Sequence, residues 1–99
     1  MRLKDKVAIV TGASNGIGEG IAKRFGQEGA KVAVNYLNSE SKAYDVVASI
    51  ESGGGTARAF KADVSRIPEI DSLVEAVLDE WDRVDILVNN AGVFRTVPV

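Results

Sequence analysis

The chain contains no cysteine and no histidine, so it has neither a disulfide framework nor the thiolate and imidazole donors of the usual zinc centres. Metal chemistry is not expected of it. Basic residues are not in excess: 12 Lys and Arg are interspersed with 14 Asp and Glu, the formal net charge is -2, and no basic stripe is available to neutralise nucleic-acid phosphates. No apolar run approaches the roughly 18 to 20 residues needed to span a bilayer. The polar start, Met1 to Lys6, leads straight into an apolar strand with no room for a signal sequence, and a soluble, cytoplasmic protein is expected. Low-complexity tracts and long linkers are also lacking, so residues 1–99 read as one domain with one core. At this length roughly a third of the unfolded surface stays exposed, and stability should be modest.

What the chain does have is an alternation of short apolar runs and helical stripes. Val7-Ala8-Ile9-Val10 is a continuous apolar run, the pattern of a strand buried on both faces of a parallel sheet, and the strand is assigned to residues 6–11. Ile17, Ile21, Ala22 and Phe25 then recur at helical spacing until Gly26 and Gly29 weaken and end the pattern. A second strand follows over 31–36, then a helix over 39–51 with Ala43, Val46, Val47 and Ile50 on one face. After Gly53-Gly54-Gly55 comes a weaker strand over 56–62. Ser65 and Pro68 mark the start of a third helix, whose broad stripe is Ile70, Leu73, Val74, Val77, Leu78 and Trp81. Trp81 is assigned to the core. Asp85-Ile86-Leu87-Val88-Asn89 is the fourth strand. Strands separated by helices of this length pair in parallel through right-handed crossovers, which predicts an α/β fold, β-α-β-α-β-α-β, doubly wound in strand order 3-2-1-4.

The turn after the first strand, Thr11-Gly12-Ala13-Ser14-Asn15-Gly16-Ile17-Gly18, carries the main chemical signal. Gly12 permits a tight exit from the strand, Gly16 lets a pyrophosphate approach the backbone, and Gly18 allows the following helix to pack closely. Ser14 and Asn15 can add side-chain hydrogen bonds. A glycine-rich turn that opens a helix aims backbone N–H groups and the positive helix end at one point. A plain strand-to-helix turn can use the same residues, so the weight comes from what accompanies it.

The spacing Thr11-Gly12-x-x-x-Gly16-x-Gly18 resembles the cofactor loop of the short-chain dehydrogenase/reductase family, and two further segments agree. Asp63-Val64 resembles that family's adenine-contacting pair, and Asn89-Asn90-Ala91-Gly92 resembles its signature segment. The three stand in order, each at the carboxyl end of a predicted strand. The resemblance implies a Rossmann-type fold and the amino-terminal, cofactor-binding half of an NAD(P)-dependent oxidoreductase. It places Gly12, Ser14, Asn15, Gly16, Ile17 and Gly18 in the cofactor loop, Leu37 and Asn38 beside the adenosine ribose, Asp63 and Val64 at the adenine, and Asn90 near the ribose, with Ala91 and Gly92 of the same segment also cofactor-binding. The parent activity it implies is hydride transfer between a nicotinamide and a carbonyl or secondary alcohol, of the 3-oxoacyl reductase or sugar dehydrogenase type. On local chemistry alone, Asp63 also suits a cap for the loop before the third helix, and Asn89 and Asn90 suit a turn.

An acidic residue near the end of the second strand would hydrogen-bond the ribose 2′-OH and repel a 2′-phosphate. Asn35-Tyr36-Leu37-Asn38-Ser39 carries no carboxylate, and no arginine either. NADP is expected, with NAD as the alternative. The family's catalytic tyrosine has a lysine four residues later to lower its pKa. Tyr36 and Tyr44 are followed at that distance by Glu40 and Ala48, so no catalytic residue is carried over. The chain is expected to bind dinucleotide weakly and to turn over nothing by itself. Ile86, Leu87 and Val88 would then form an apolar strand edge without a neighbour. That edge predicts self-association, pairing with a complementary or full-length chain, or partial disorder near the carboxyl end. A stand-alone interaction module using that edge is the alternative function.

Overall fold

The computed structural model describes residues 2–14 and 16–90. Asn15, Ala91 and Gly92, three of the expected site residues, lie outside the described residues, as does the segment for which disorder was expected. Seven elements run in the order β1 (Val7–Val10), α1 (Gly16–Gln27), β2 (Lys31–Tyr36), α2 (Glu40–Ser52), β3 (Thr56–Lys61), α3 (Ile67–Trp81) and β4 (Ile86–Val88).

All strand pairs are parallel, and the sheet order is β3-β2-β1-β4, as the alternation predicts. β1 has no exposed residue, because it pairs on both edges and is covered on both faces. Val10, Val32 and Val34 pack with Ala22 of α1 and with Ala43, Val46 and Ile50 of α2 on one face. Val7, Ile9 and Ala33 pack with Leu73 and Val77 of α3 on the other. Fully burying one such aliphatic side chain contributes roughly 1.5–3 kcal/mol, so the two central strands anchor both layers.

The change of face has a topological cause. From β1 through β2 to β3 the chain steps one way across the sheet, and from β3 to β4 it steps back over two strands, which sends α3 to the opposite side. The carboxyl ends of β1 and β4 therefore flank the point where the winding reverses, where open α/β sheets leave a crevice.

Several boundaries differ from the sequence pattern, each for a local reason. The first strand is shorter at both ends than 6–11, because Thr11 already turns into the loop. α1 ends at Gln27, between Gly26 and Gly29, and Ile50 packs directly over Gly26, where a side chain would not fit. β4 is shorter than 85–89 by Asp85 and Asn89; the Asp85 carboxylate accepts the Val7 N–H at 2.8 Å while its own N–H donates to Val7 O at 2.8 Å. Leu78, expected on the buried stripe of α3, is 40% exposed, since the stripe is wider than the sheet surface beneath it. Trp81 is half-buried and meets Phe60 edge-on, with ring centroids 6.2 Å apart. After it, Asp82 takes the left-handed conformation (φ 65°) and donates its N–H to Leu78 O at 2.7 Å, closing the helix.

Among the described residues β4 pairs only with β1. Ile86 and Val88 are half-buried, and Leu87 is 55% exposed on the α3 side. No helix among the described residues is long and apolar enough to cross a membrane.

Candidate functional site

Four parallel strands end on one rim, and the loops there are cross-tied. Thr11, which follows β1, donates its N–H to Val88 O at 2.9 Å, and its hydroxyl accepts the Asn90 N–H at 2.7 Å. The same hydroxyl reaches Val88 O at 3.1 Å, so the tips of β1 and β4 form one unit. Gly12 then turns at φ 60° and Gly16 again at φ 60°, a conformation in which a Cβ would be strained. A Cβ on Gly18 would collide with the Gly12 carbonyl oxygen and stand 2.6 Å from Asn90 Nδ2. Gly18 therefore lets the start of α1 rest against both the turn and the β4 tip. Among the described residues, chain neighbours aside, nothing stands within 4 Å of where a Cβ on Gly16 would be.

These features suit an anion. The first N–H groups of a twelve-residue helix have no partner within the helix, and they carry the positive end of its dipole. Ile17, in that first turn, is 75% exposed.

The rim continues across β2 and β3. Asn35, on β2, is 1% exposed and sends its carboxamide to both neighbouring strands: Oδ1 accepts the Gly12 N–H at 3.2 Å, and Nδ2 donates to Phe60 O and Ala62 O, each at 3.2 Å. Its backbone carbonyl accepts the Ala13 N–H at 3.0 Å. The residue pattern did not single out Asn35. A polar residue inside an otherwise apolar strand that is buried on both faces was the available signal, since such a side chain must find partners.

Asp63 follows β3 in a half-buried position beside the buried Val64. Its Oδ1 accepts the hydroxyl of Ser65 at 2.6 Å and the Ser65 N–H at 3.0 Å, and these bonds hold the carboxyl below its ordinary range. Asp63 donates its own N–H to Glu69 Oε1 at 2.7 Å, which ties the loop to the first turn of α3. The capping role open to Asp63 on local chemistry is thus present. It leaves an ionised acceptor group at the β3 tip. From there to Asn89 at the β4 tip the rim crosses three strand spacings, roughly 14 Å.

Beyond β2, Leu37 and Asn38 are exposed at the mouth of the β2–α2 loop. Residues 35–39 carry no carboxylate, and Glu40, in the first turn of α2, folds back so that Oε2 accepts the Tyr36 hydroxyl at 3.3 Å. Burial and that carboxylate both raise the Tyr36 pKa, so the phenol stays protonated and cannot serve as a base at neutral pH. Ser14 is buried and lines a cleft of about 240 Å³ with Glu19, Lys23, Lys42, Asp45 and Val46, between α1 and α2. The apolar counterpart, about 220 Å³, lies on the α3 side between Val64, Leu73 and Leu87.

Comparison with known proteins places this rim in context. A family model described as short chain dehydrogenase matches residues 6–99. A 3-oxoacyl-acyl-carrier-protein reductase of Synechocystis sp. is 47% identical over 93 residues, covering 94% of this chain and 38% of the relative. An uncharacterized oxidoreductase of Methylorubrum extorquens is 50% identical over 94 residues and is likewise covered over 38% of its length. The short-chain dehydrogenase/reductase homolog YusS of Bacillus subtilis is 40% identical over 99 residues, and this chain covers 91% of it. The crystal structure of a short chain dehydrogenase from Burkholderia cenocepacia in complex with NADP superposes with a TM-score of 0.89 at 46% identity, over 96% of this chain and 39% of that one. The chain thus spans about 38% of the length of the first two relatives and aligns with their amino-terminal part. With the family model matched over nearly every residue and the strand order the same, this chain belongs to the short chain dehydrogenase family.

Proposed function

We propose that this chain binds a nicotinamide adenine dinucleotide along the rim, with NADP preferred over NAD. The observation that carries the reading is the cross-tied turn at the winding reversal. Gly12, Gly16 and Gly18 open the amino end of α1 beside the β4 tip, and the ionised Asp63 stands farther along the same edge. The amides at the start of α1 and the Ser14 hydroxyl would hold the diphosphate, Leu37 and Asn38 would flank the adenosine ribose, and Asp63 with Val64 would receive the adenine. Asn90, with Asn15, Ala91 and Gly92 beside the described segments, would complete the set. The absence of a carboxylate at Leu37 and Asn38 favours NADP.

The bound cofactor would supply hydride chemistry, and the protein orientation. In a longer protein the groove would serve exchange between the nicotinamide and a carbonyl or secondary alcohol, with 3-oxoacyl compounds or sugars as the substrate class. The 99 residues themselves contain no Tyr-x-x-x-Lys pair, so the chain is proposed to bind without turnover. Titration with NADPH and NADH, read by the change in their own fluorescence, is the test. Saturable binding, tighter for NADPH, is expected; no saturation by either would end the proposal, and carbonyl reduction by the purified chain would end its non-catalytic part.

A second reading is an interaction module, favoured by the apolar β4 edge with Leu87 exposed beside the α3 groove. Its occupant would be a full-length relative or a second copy. Sedimentation of the isolated chain over a range of concentrations, with and without such a relative, distinguishes the cases; a monomer under all conditions removes this reading.

A further inference from the structure

We infer that Asn35 is a positioning residue for the dinucleotide, an assignment that rests on the rim being a dinucleotide site. Its carboxamide is satisfied on both sides by main-chain groups of other strands: the Gly12 N–H before α1, and the Phe60 and Ala62 carbonyls at the end of β3. One buried side chain thereby fixes the separation between the turn at 12–18 and the loop at 63–64 before any ligand arrives.

The residue type is dictated by the groups it serves, one N–H donor and the carbonyl acceptors of Phe60 and Ala62, with Tyr36 O a longer third at 3.5 Å. A carboxylate accepts from Gly12 but presses its charge against two carbonyl oxygens, a hydroxyl offers a single donor, and an alkyl side chain serves none. Asn35 has a second consequence. It withdraws the Gly12 N–H from the ligand, leaving the diphosphate to the amides at the start of α1.

Positioning of this kind favours one class of ligand over another. A dinucleotide must touch the glycine turn and the Asp63 loop together, and when their separation is already set the second contact forms without further ordering. AMP spans less of the rim and draws less from that fixed separation.

The experiment compares the unmodified 99-residue chain with Asn35→Ser and Asn35→Ala, measuring affinity and stoichiometry for NADPH, NADH and AMP together with the urea midpoint. Dinucleotide affinity is expected to fall by at least about tenfold at unchanged stoichiometry, while AMP affinity changes less than about threefold and Asn35→Ser retains more than Asn35→Ala. Hydrogen exchange on the ligand-free chain supplies a readout that survives even if the alanine variant fails to fold. The Gly12 amide should be protected in the unmodified chain and lose protection in Asn35→Ser. Equal losses for all three ligands, a fall in stoichiometry alone, or an unprotected Gly12 amide in the unmodified chain would overturn the inference. An unmodified chain that binds neither NADPH nor NADH would instead overturn the underlying dinucleotide reading, and the inference with it.

Discussion

The Thr11 hydroxyl accepts the Asn90 N–H at 2.7 Å and donates toward Val88 O at 3.1 Å, joining the two strand tips that flank the glycine turn. Thr11 is 4% exposed, so water does not readily replace either partner. Thr11→Val keeps the shape and removes the hydroxyl's bonds, a longer one to Asn89 Oδ1 at 3.4 Å among them, leaving the Asn90 N–H without this acceptor. The expected cost is about 1–3 kcal/mol, read from the urea midpoint at unchanged slope, with Thr11→Ser close to the unmodified chain. The valine variant should also bind NADPH more weakly, because the start of α1 rests on this junction.

How much of this was legible beforehand depends on where each interaction's partners lie. β2 was read correctly to the residue over 31–36, and the strand order followed from the alternation alone, because both rest on local periodicity and chain connectivity. The glycine turn and Asp63 could be found because their residue types announce their backbone chemistry. Asn35 and Glu40 could not, since their bonds run to Gly12, Phe60 and Ala62 main-chain atoms or back to the tip of Tyr36, none of which imposes a pattern on the sequence. The close approach of Ile50 to Gly26 is illegible for the same reason, since Ile50 lies on another helix.

That packing gives a paired prediction on one helix. A Cβ on Gly26 would stand 2.7 Å from Ile50 Cγ2, and a Cβ on Gly55 would meet the same methyl at 2.7 Å, so Ile50 has nowhere to retreat. Overpacking costs about 1–3 kcal/mol, which outweighs the roughly 1 kcal/mol of helix propensity gained, and Gly26→Ala should destabilise. On the same helix a Cβ on Gly20 would meet no described residue within 4 Å, and Gly20 is exposed. Gly20→Ala should therefore stabilise by about 0.5–1 kcal/mol. Urea unfolding of the two variants checks both signs.

Acid should weaken the junction between β1 and β4. Asp85 accepts the fork of Arg83 at 2.8 and 2.9 Å and the Val7 N–H at 2.8 Å, and these bonds, Arg83's first, hold its carboxyl below the ordinary range. A carboxyl whose pKa is lower folded than unfolded contributes stability above the unfolded value, near pH 4, and loses it as pH falls through the folded one. Asp63 is lowered too and acts in the same direction. The urea midpoint should therefore fall on acidification from about pH 6 to about pH 2. Asp85→Asn, less stable at neutral pH, should show a smaller fall and converge on the unmodified chain in acid. Parallel curves would remove Asp85 from the account.

Cofactor preference should turn on charge at the exit from β2. Leu37 is 42% exposed at that mouth, while Glu40, at the start of α2, accepts the Tyr36 hydroxyl. Leu37→Asp places a free carboxylate where it can accept from a ribose 2′-OH and repel a 2′-phosphate, so NADPH affinity should drop by at least about tenfold while NADH affinity holds or rises. Because the repulsion acts at an exposed site, added salt should narrow the gap between the two cofactors. Leu37→Arg should move the preference the other way, the guanidinium gripping the phosphate. Equal changes for NADPH and NADH in either variant would place the adenosine ribose somewhere other than Leu37, because a charge beside it cannot treat a phosphate and a hydroxyl alike.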